Sequence, residues 1–145
     1  MKTPASPAQA PQVAPLLAVA AQFLRAGRPG EAIGPLREAA RRLPGNDAIL
    51  HDLGLACLEC GLLGEAIAAL RGSVAANPRY ADAHLRLGIA LEAAGAVGEA
   101  LGSYKRAADV PPVLADASYR AGALLDSLGR TEEAIACYQI GRAHV

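Results

Sequence analysis

Asp47–Tyr80 reads DAILHDLGLACLECGLLGEAIAALRGSVAANPRY, and its internal spacing decides the fold. Leu50, Leu53, Gly54 and Cys57 follow the i, i+3, i+4, i+7 pattern of one helix face. Gly61 interrupts the pattern, Glu65, Ala66, Ile67 and Leu70 resume it, and Pro78 closes it. Shifted by 34 residues it returns as Leu87, Gly88, Leu91, Gly95, Glu99, Ala100, Leu101, Tyr104 and Pro112. A further shift gives Gly122, Leu125, Gly129, Glu133, Ala134, Ile135 and Tyr138. A backward shift gives Val19, Ala20, Phe23, Gly27, Glu31, Ala32, Ile33, Leu36 and Pro44. A fixed period of this length marks stacked supersecondary units, each too small to bury its own apolar faces.

Each unit divides at its central glycine into two amphipathic helices. Gly27, Gly61, Gly95 and Gly129 stand just past the first helix, where a left-handed C-terminal cap is easiest without a Cβ. Glu31, Glu65, Glu99 and Glu133 fall in the first turn of the second helix, at the positive end of its dipole. Pro44, Pro78 and Pro112 are expected to end the second helices. Asp47, Asp82 and Asp116 are expected in the opening turn of the next first helix. Gly54, Gly88 and Gly122, with Ala20 in the first unit, face Ala32, Ala66, Ala100 and Ala134, so the helices of each hairpin approach closely. Leu36, Leu70, Tyr104 and Tyr138 fill the next layer. Pro35, inside the second helix of the first unit, removes a backbone bond there and is expected to kink it.

The composition narrows the class of function. The 145 residues suffice for one domain, 52% are hydrophobic, and 34 alanines make a core of small side chains. Zero formal charge gives no reason to expect nucleic acid or an anionic membrane as partner. Residues 1–46 carry six basic and two acidic groups, and residues 47–145 carry eight and twelve, which reads as a solvated outer face. Three cysteines form no disulfide framework, and free thiols fit a reducing, cytoplasmic setting. Cys57 and Cys60 make one CxxC on one helix without a second ligand pair, whereas a structural zinc needs four ligands. No apolar run reaches the roughly 18–20 residues of a membrane span. Val13–Leu24 could be misread as a signal segment, but it is in register with the later copies.

The motif Leu50-x-x-Leu53-Gly54-x-x-Cys57, then Ala66-x-x-x-Leu70, then Pro78, resembles the tetratricopeptide repeat. The resemblance runs from Val13 to Tyr138 without insertions. It implies an all-α fold: tandem helix-turn-helix repeats stacked as a right-handed solenoid of about eight helices. The units are read as 13–46, 47–80, 81–114 and a shortened 115–139, after a Pro- and Ala-rich tail over 1–12 that is expected to be disordered. The large aromatic that the family places early in the first helix is replaced by Leu16, Leu50, His84 and Ser118, so that pocket is thinly filled. Ile140–Val145 (IGRAHV) breaks the pattern and reads as a translated sequencing adapter, a non-native tail. On that reading the natural protein continued, and the last helix lacks the polar cap that solenoids usually carry.

No Ser-His-Asp set, phosphate-cradling glycine loop or metal spacing appears, and no cofactor is expected. What remains is a binding surface. The resemblance implies that the first helices line a concave face along which a peptide or a partner domain lies. That face would present Leu17, Ala21, Leu24, His51, Asp52 and Leu58. Its expected anchors are Leu55, Leu85, Arg86, Ile89, Tyr119 and Arg120, with Tyr119 foremost because aromatic side chains dominate interface hot spots. Asp82 with Arg86, and Asp116 with Arg120, are also i,i+4 pairs, which accounts for both arginines without a ligand. The carboxylate clamp of chaperone-tail-binding relatives needs Lys and Asn where Leu17, Ala21 and Asp52 stand, so that ligand class is rejected. The expected function is therefore a non-catalytic protein-interaction scaffold. Its partner would be a protein or peptide, and the uncapped last helix invites self-association. The alternative is the repeat region of a larger bacterial sulfotransferase, methyltransferase or glycosyltransferase.

Overall fold

The computed structural model describes residues 10–144, and these form eight α-helices. They are α1 (Ala10–Arg25), α2 (Pro29–Arg42), α3 (Asp47–Glu59), α4 (Leu63–Ala76), α5 (Ala81–Ala93), α6 (Val97–Ala107), α7 (Pro111–Ser127) and α8 (Thr131–Ala143). Helix follows helix as four antiparallel-type hairpins, so the all-α repeat architecture expected from the 34-residue period is present. The chain divides after Pro78 into two compact units, one holding α1–α4 and the other α5–α8.

Every hairpin turns by the same device. At the end of α3, Gly61 has φ of +76°, its N–H donates to the Leu58 carbonyl at 3.1 Å, and the Leu62 N–H donates to the Cys57 carbonyl at 2.9 Å. These two bonds satisfy carbonyls that the helix end would otherwise leave open. The same pair of bonds recurs at Gly27, Gly95 and Gly129. The repeated glycine is thus a repeated left-handed cap, and it sets where each second helix begins.

In the first unit α1 packs on α2, α2 on α3, and α3 on α4. One core gathers Ala20, Ile33, Leu36, Leu53, Ala56 and Cys57, and a smaller one joins Val13, Ala39 and Ile49. A Cβ placed on Gly54 would stand 2.5 Å from Leu70 Cγ, so that glycine is what lets α4 lie against α3. The Ser73 hydroxyl donates to the Asp47 carbonyl at 2.8 Å and the Asn77 amide donates to the Asp47 carboxylate at 2.9 Å, tying the end of α4 to the start of α3. Arg37 of α2 grips the Glu65 carboxylate of α4 through two bonds of 2.9 Å.

In the second unit α5 packs on α6, α7 on α8, and α7 rests on both α6 and α5. Tyr104 is fully buried over Gly88, and Tyr138 lies in the same way over Gly122. His84 and Ser118 are both buried, so in α5 and α7 polar side chains occupy the position that the family fills with a large aromatic.

The structure moves four boundaries. Helix α1 starts at Ala10, inside the expected tail, and residues 1–9 lie outside the described residues. Pro111 and Pro112 occupy the first turn of α7 instead of ending α6, which already stops at Ala107. A first-turn proline has no intrahelical N–H bond to lose, and Val110 before it takes the extended backbone that proline imposes. Asp116 consequently falls outside the first turn of α7, which holds no acidic residue. Ile140–Ala143 continue α8, and Gly141 is buried at the register position of Ala39, Ser73 and Ala107.

Candidate functional site

A groove opens in the first unit between α1, the end of α2 and the start of α3. Leu17, Ala21 and Leu24 are spaced i, i+4, i+7 and form a stripe along α1. Ala48 and Asp52 face it from α3, and Leu43 lines it from the connection. Leu36 and Ile49 are buried beneath, and the hollow measures about 390 Å³. Small side chains at Ala21 and Ala48 keep it wide. Asn46, also at its edge, accepts a hydrogen bond from the Ile49 N–H at 3.1 Å, so its side chain is committed to capping α3. Asp52 supplies the charge of the lining, and its carboxylate accepts a bond from His51 Nδ1 at 3.2 Å. The site is an apolar trough with one half-exposed carboxylate on its rim.

The second unit carries a polar cluster. The Tyr104 hydroxyl donates to the Glu92 carboxylate at 3.2 Å. Burial pushes the Tyr104 phenol up to about 12, the Glu92 charge adds to the rise, and the Arg120 guanidinium works against it. Arg120 also donates to Asp116 at 3.0 Å, and Arg86 pairs with Asp82 at 3.5 Å. Both expected i,i+4 pairs are therefore formed. Such half-exposed pairs are each worth about 0.2–0.5 kcal/mol.

The expected anchors fall in both compact units. Leu55 and Ile89 are half-buried on α3 and α5, each within its own unit. Leu85 is 3% exposed and belongs to the core, so it is unavailable to a ligand. Tyr119 keeps an exposed edge, yet its ring packs on the second helix of its own hairpin. A Cβ on Gly141 would stand 3.3 Å from that ring, and the Tyr138 ring centroid is 6.1 Å away. The groove is lined by Leu17, Ala21, Leu24 and Asp52, which the repeat register places on the first-helix face. In the sequence the i, i+4, i+7 stripe of α1 marks Leu17, Ala21 and Leu24.

Helical hairpins with Gly-over-aromatic contacts at fixed register define a tandem helical-repeat protein. The tetratricopeptide-repeat pattern matches residues 17–78, 52–113 and 97–143, and the chain belongs to the tetratricopeptide-repeat family. No curated protein matches the chain. Among solved structures, a crystal structure of MamA is 24% identical, with a TM-score of 0.87 over 91% of this chain and 77% of that one. YrrB, described as a repeat protein with an unusual peptide-binding site, is 21% identical, with a TM-score of 0.80 over 89% of this chain and 66% of that one. A mutant of the Thermobaculum terrenum O-GlcNAc transferase is 30% identical, with a TM-score of 0.70 over 86% of this chain and 23% of that one. Among the described residues, no helix is long and apolar enough to cross a membrane.

Proposed function

We propose that this chain is a non-catalytic protein-interaction module whose first unit takes an apolar peptide segment into the groove between α1 and α3. The observation that carries this reading is the Leu17, Ala21 and Leu24 stripe facing Ala48 and Asp52 across an open hollow. Its volume falls in the range of sites that enclose small ligands or side chains, and its lining is apolar with one orienting charge. Asp52 on the rim favours a peptide with a Lys or Arg beside its apolar residues, since opposite charge steers encounter and fixes register. The likeness of fold to YrrB, whose description names peptide binding, supports a peptide over a small metabolite.

Selection of displayed peptides against the whole chain tests this. Selected sequences should pair a bulky apolar residue with a nearby basic one. Ala21→Glu should weaken them about tenfold or more, because a charge would be desolvated in the trough. Ala68→Glu, on the exposed face of α4, should leave binding intact. Equal loss in both variants would refute the groove as the binding site.

The 30% likeness to part of an O-GlcNAc transferase favours a second reading, in which the repeats serve a larger transferase and the groove receives its substrate. Transferase coding sequence in the same natural reading frame would support it. A frame without such sequence would remove it.

A further inference from the structure

Residues 1–9, MKTPASPAQ, lead into α1 at the end of the first-unit groove. Val13, in the first turn of α1, is buried in one cluster with Ile49 of the groove floor, and Leu17 and Leu43 of the lining pack against that cluster. The Arg42 guanidinium donates to the Gln12 carbonyl at 3.0 Å, which ties the start of α1 to the end of α2 at the same place. The chain therefore enters its first helix beside the hollow. Nine extended residues span about 30 Å. At a rise of 1.5 Å per residue, the stripe from Leu17 to Leu24 lies about 10–21 Å along α1 from Ala10. The segment is long enough to turn back and cover all of it.

The composition of the segment suits that lining. Met1 next to Lys2 is an apolar residue beside a basic one, the pairing that Asp52 on the rim favours. The segment holds no acidic residue for Asp52 to repel. Pro4 and Pro7 narrow its backbone choices, and Ala5 and Ala8 are small and apolar, so seating it costs little conformational entropy. We propose that residues 1–9 are an intramolecular ligand of the groove, with Lys2 paired to Asp52, and that a partner peptide must displace them. The proposal rests on the reading of the groove as a peptide seat. A tethered segment acts at an effective concentration on the order of millimolar, so even a weak seat is occupied much of the time. The apparent affinity for a partner then falls with the fraction of free groove.

Methyl spectra of the whole chain and of a chain lacking residues 2–9 test this, with thermal melts to confirm that both are folded. The Leu17 and Leu24 methyls should differ between the two at every protein concentration, while those of Leu62 and Leu128 coincide. Lys2→Glu in the whole chain should move Leu17 and Leu24 part of the way. The synthetic peptide MKTPASPAQ, added to the shortened chain, should return them toward their whole-chain positions. Selected displayed peptides should bind the shortened chain about two- to tenfold more tightly than the whole one. Leu17 and Leu24 methyls identical in the two chains overturn the inference. So does a difference that fades on dilution, which would seat the segment in another copy. Peptides bound equally by both chains, with no methyl difference, sink the intramolecular ligand and leave the peptide site standing. A methyl difference with no displayed peptide bound by either chain supports the intramolecular ligand and removes the partner peptide.

Discussion

Gly88 and Tyr104 are in contact so close that a Cβ at position 88 would run into the ring. A Cβ on Gly88 would stand 2.5 Å from Cε1 and 2.6 Å from Cδ1 of the buried Tyr104 ring. Glycine inside a helix ordinarily costs about 0.5–1 kcal/mol relative to alanine. Here the sign reverses, because the ring cannot withdraw from a full core.

Gly88→Ala should therefore destabilise the chain by about 1–3 kcal/mol, and Gly88→Leu by more. Gly102 provides the opposite case, since it is exposed within α6 and a Cβ there meets nothing within 4 Å. Gly102→Ala should stabilise by about 0.5–1 kcal/mol. Denaturant midpoints measure both. Shifts of the same sign would disprove the packing account.

Tyr119→Ala should lower stability by about 1–2 kcal/mol through lost packing against Gly141 and Tyr138. It should leave affinity for a peptide in the first-unit groove unchanged. A thermal melt and a binding isotherm on the same variant separate the two effects. Loss of affinity with unchanged stability would return Tyr119 to the binding surface.

Glu38 gives the acid limb of the stability profile a local origin. Hydrogen bonds from Arg41 and Arg42 lower its carboxyl from the ordinary 4.5 to about 2. A carboxyl depressed by folding stabilises the folded chain above its unfolded value and loses that contribution as pH falls through the folded one. The loss should fall between about pH 4.5 and pH 2. Glu38→Gln should flatten the melting temperature over that interval and leave its slope above pH 5 unaltered. An unchanged acid limb would show that the pairs with Arg41 and Arg42 do not persist in solution.

The two CxxC thiols should behave differently. Cys57 is buried and its thiol is pushed up to about 11 by burial, with the Glu65 charge adding to the rise, whereas Cys60 is exposed. Thiolate is the reactive form. Alkylation of the folded chain, followed by mass spectrometry, should therefore mark Cys60 well before Cys57. Equal rates would contradict the buried placement of Cys57.

Much of the fold was legible because each repeat states the same local rule. Gly61 followed four residues later by Glu65 predicts a left-handed cap and then a helix start, and both are found. Pro112 misled because proline ends one helix as readily as it begins another; the extended Val110 decides between them. Tyr119 is a different case: its register position is buried in the two preceding copies, as His51 and Leu85, and its ring lies beside Gly141, where the earlier copies carry Ala39, Ser73 and Ala107. The groove was only half legible. Leu17, Ala21 and Leu24 lie on a visible stripe, but its width depends on how Leu43 and Asn46 carry the chain from α2 to α3, and no periodicity encodes that path.

Methyl-resolved NMR tests most directly whether a partner peptide binds in the first-unit groove. On titration with a selected peptide, the Leu17 and Leu24 methyls should shift in proportion to occupancy. Exposed methyls outside the groove, those of Leu62 and Leu128, should stay in place. Shifts confined to residues of the second helices, with Leu17 and Leu24 unmoved at saturation, would contradict it.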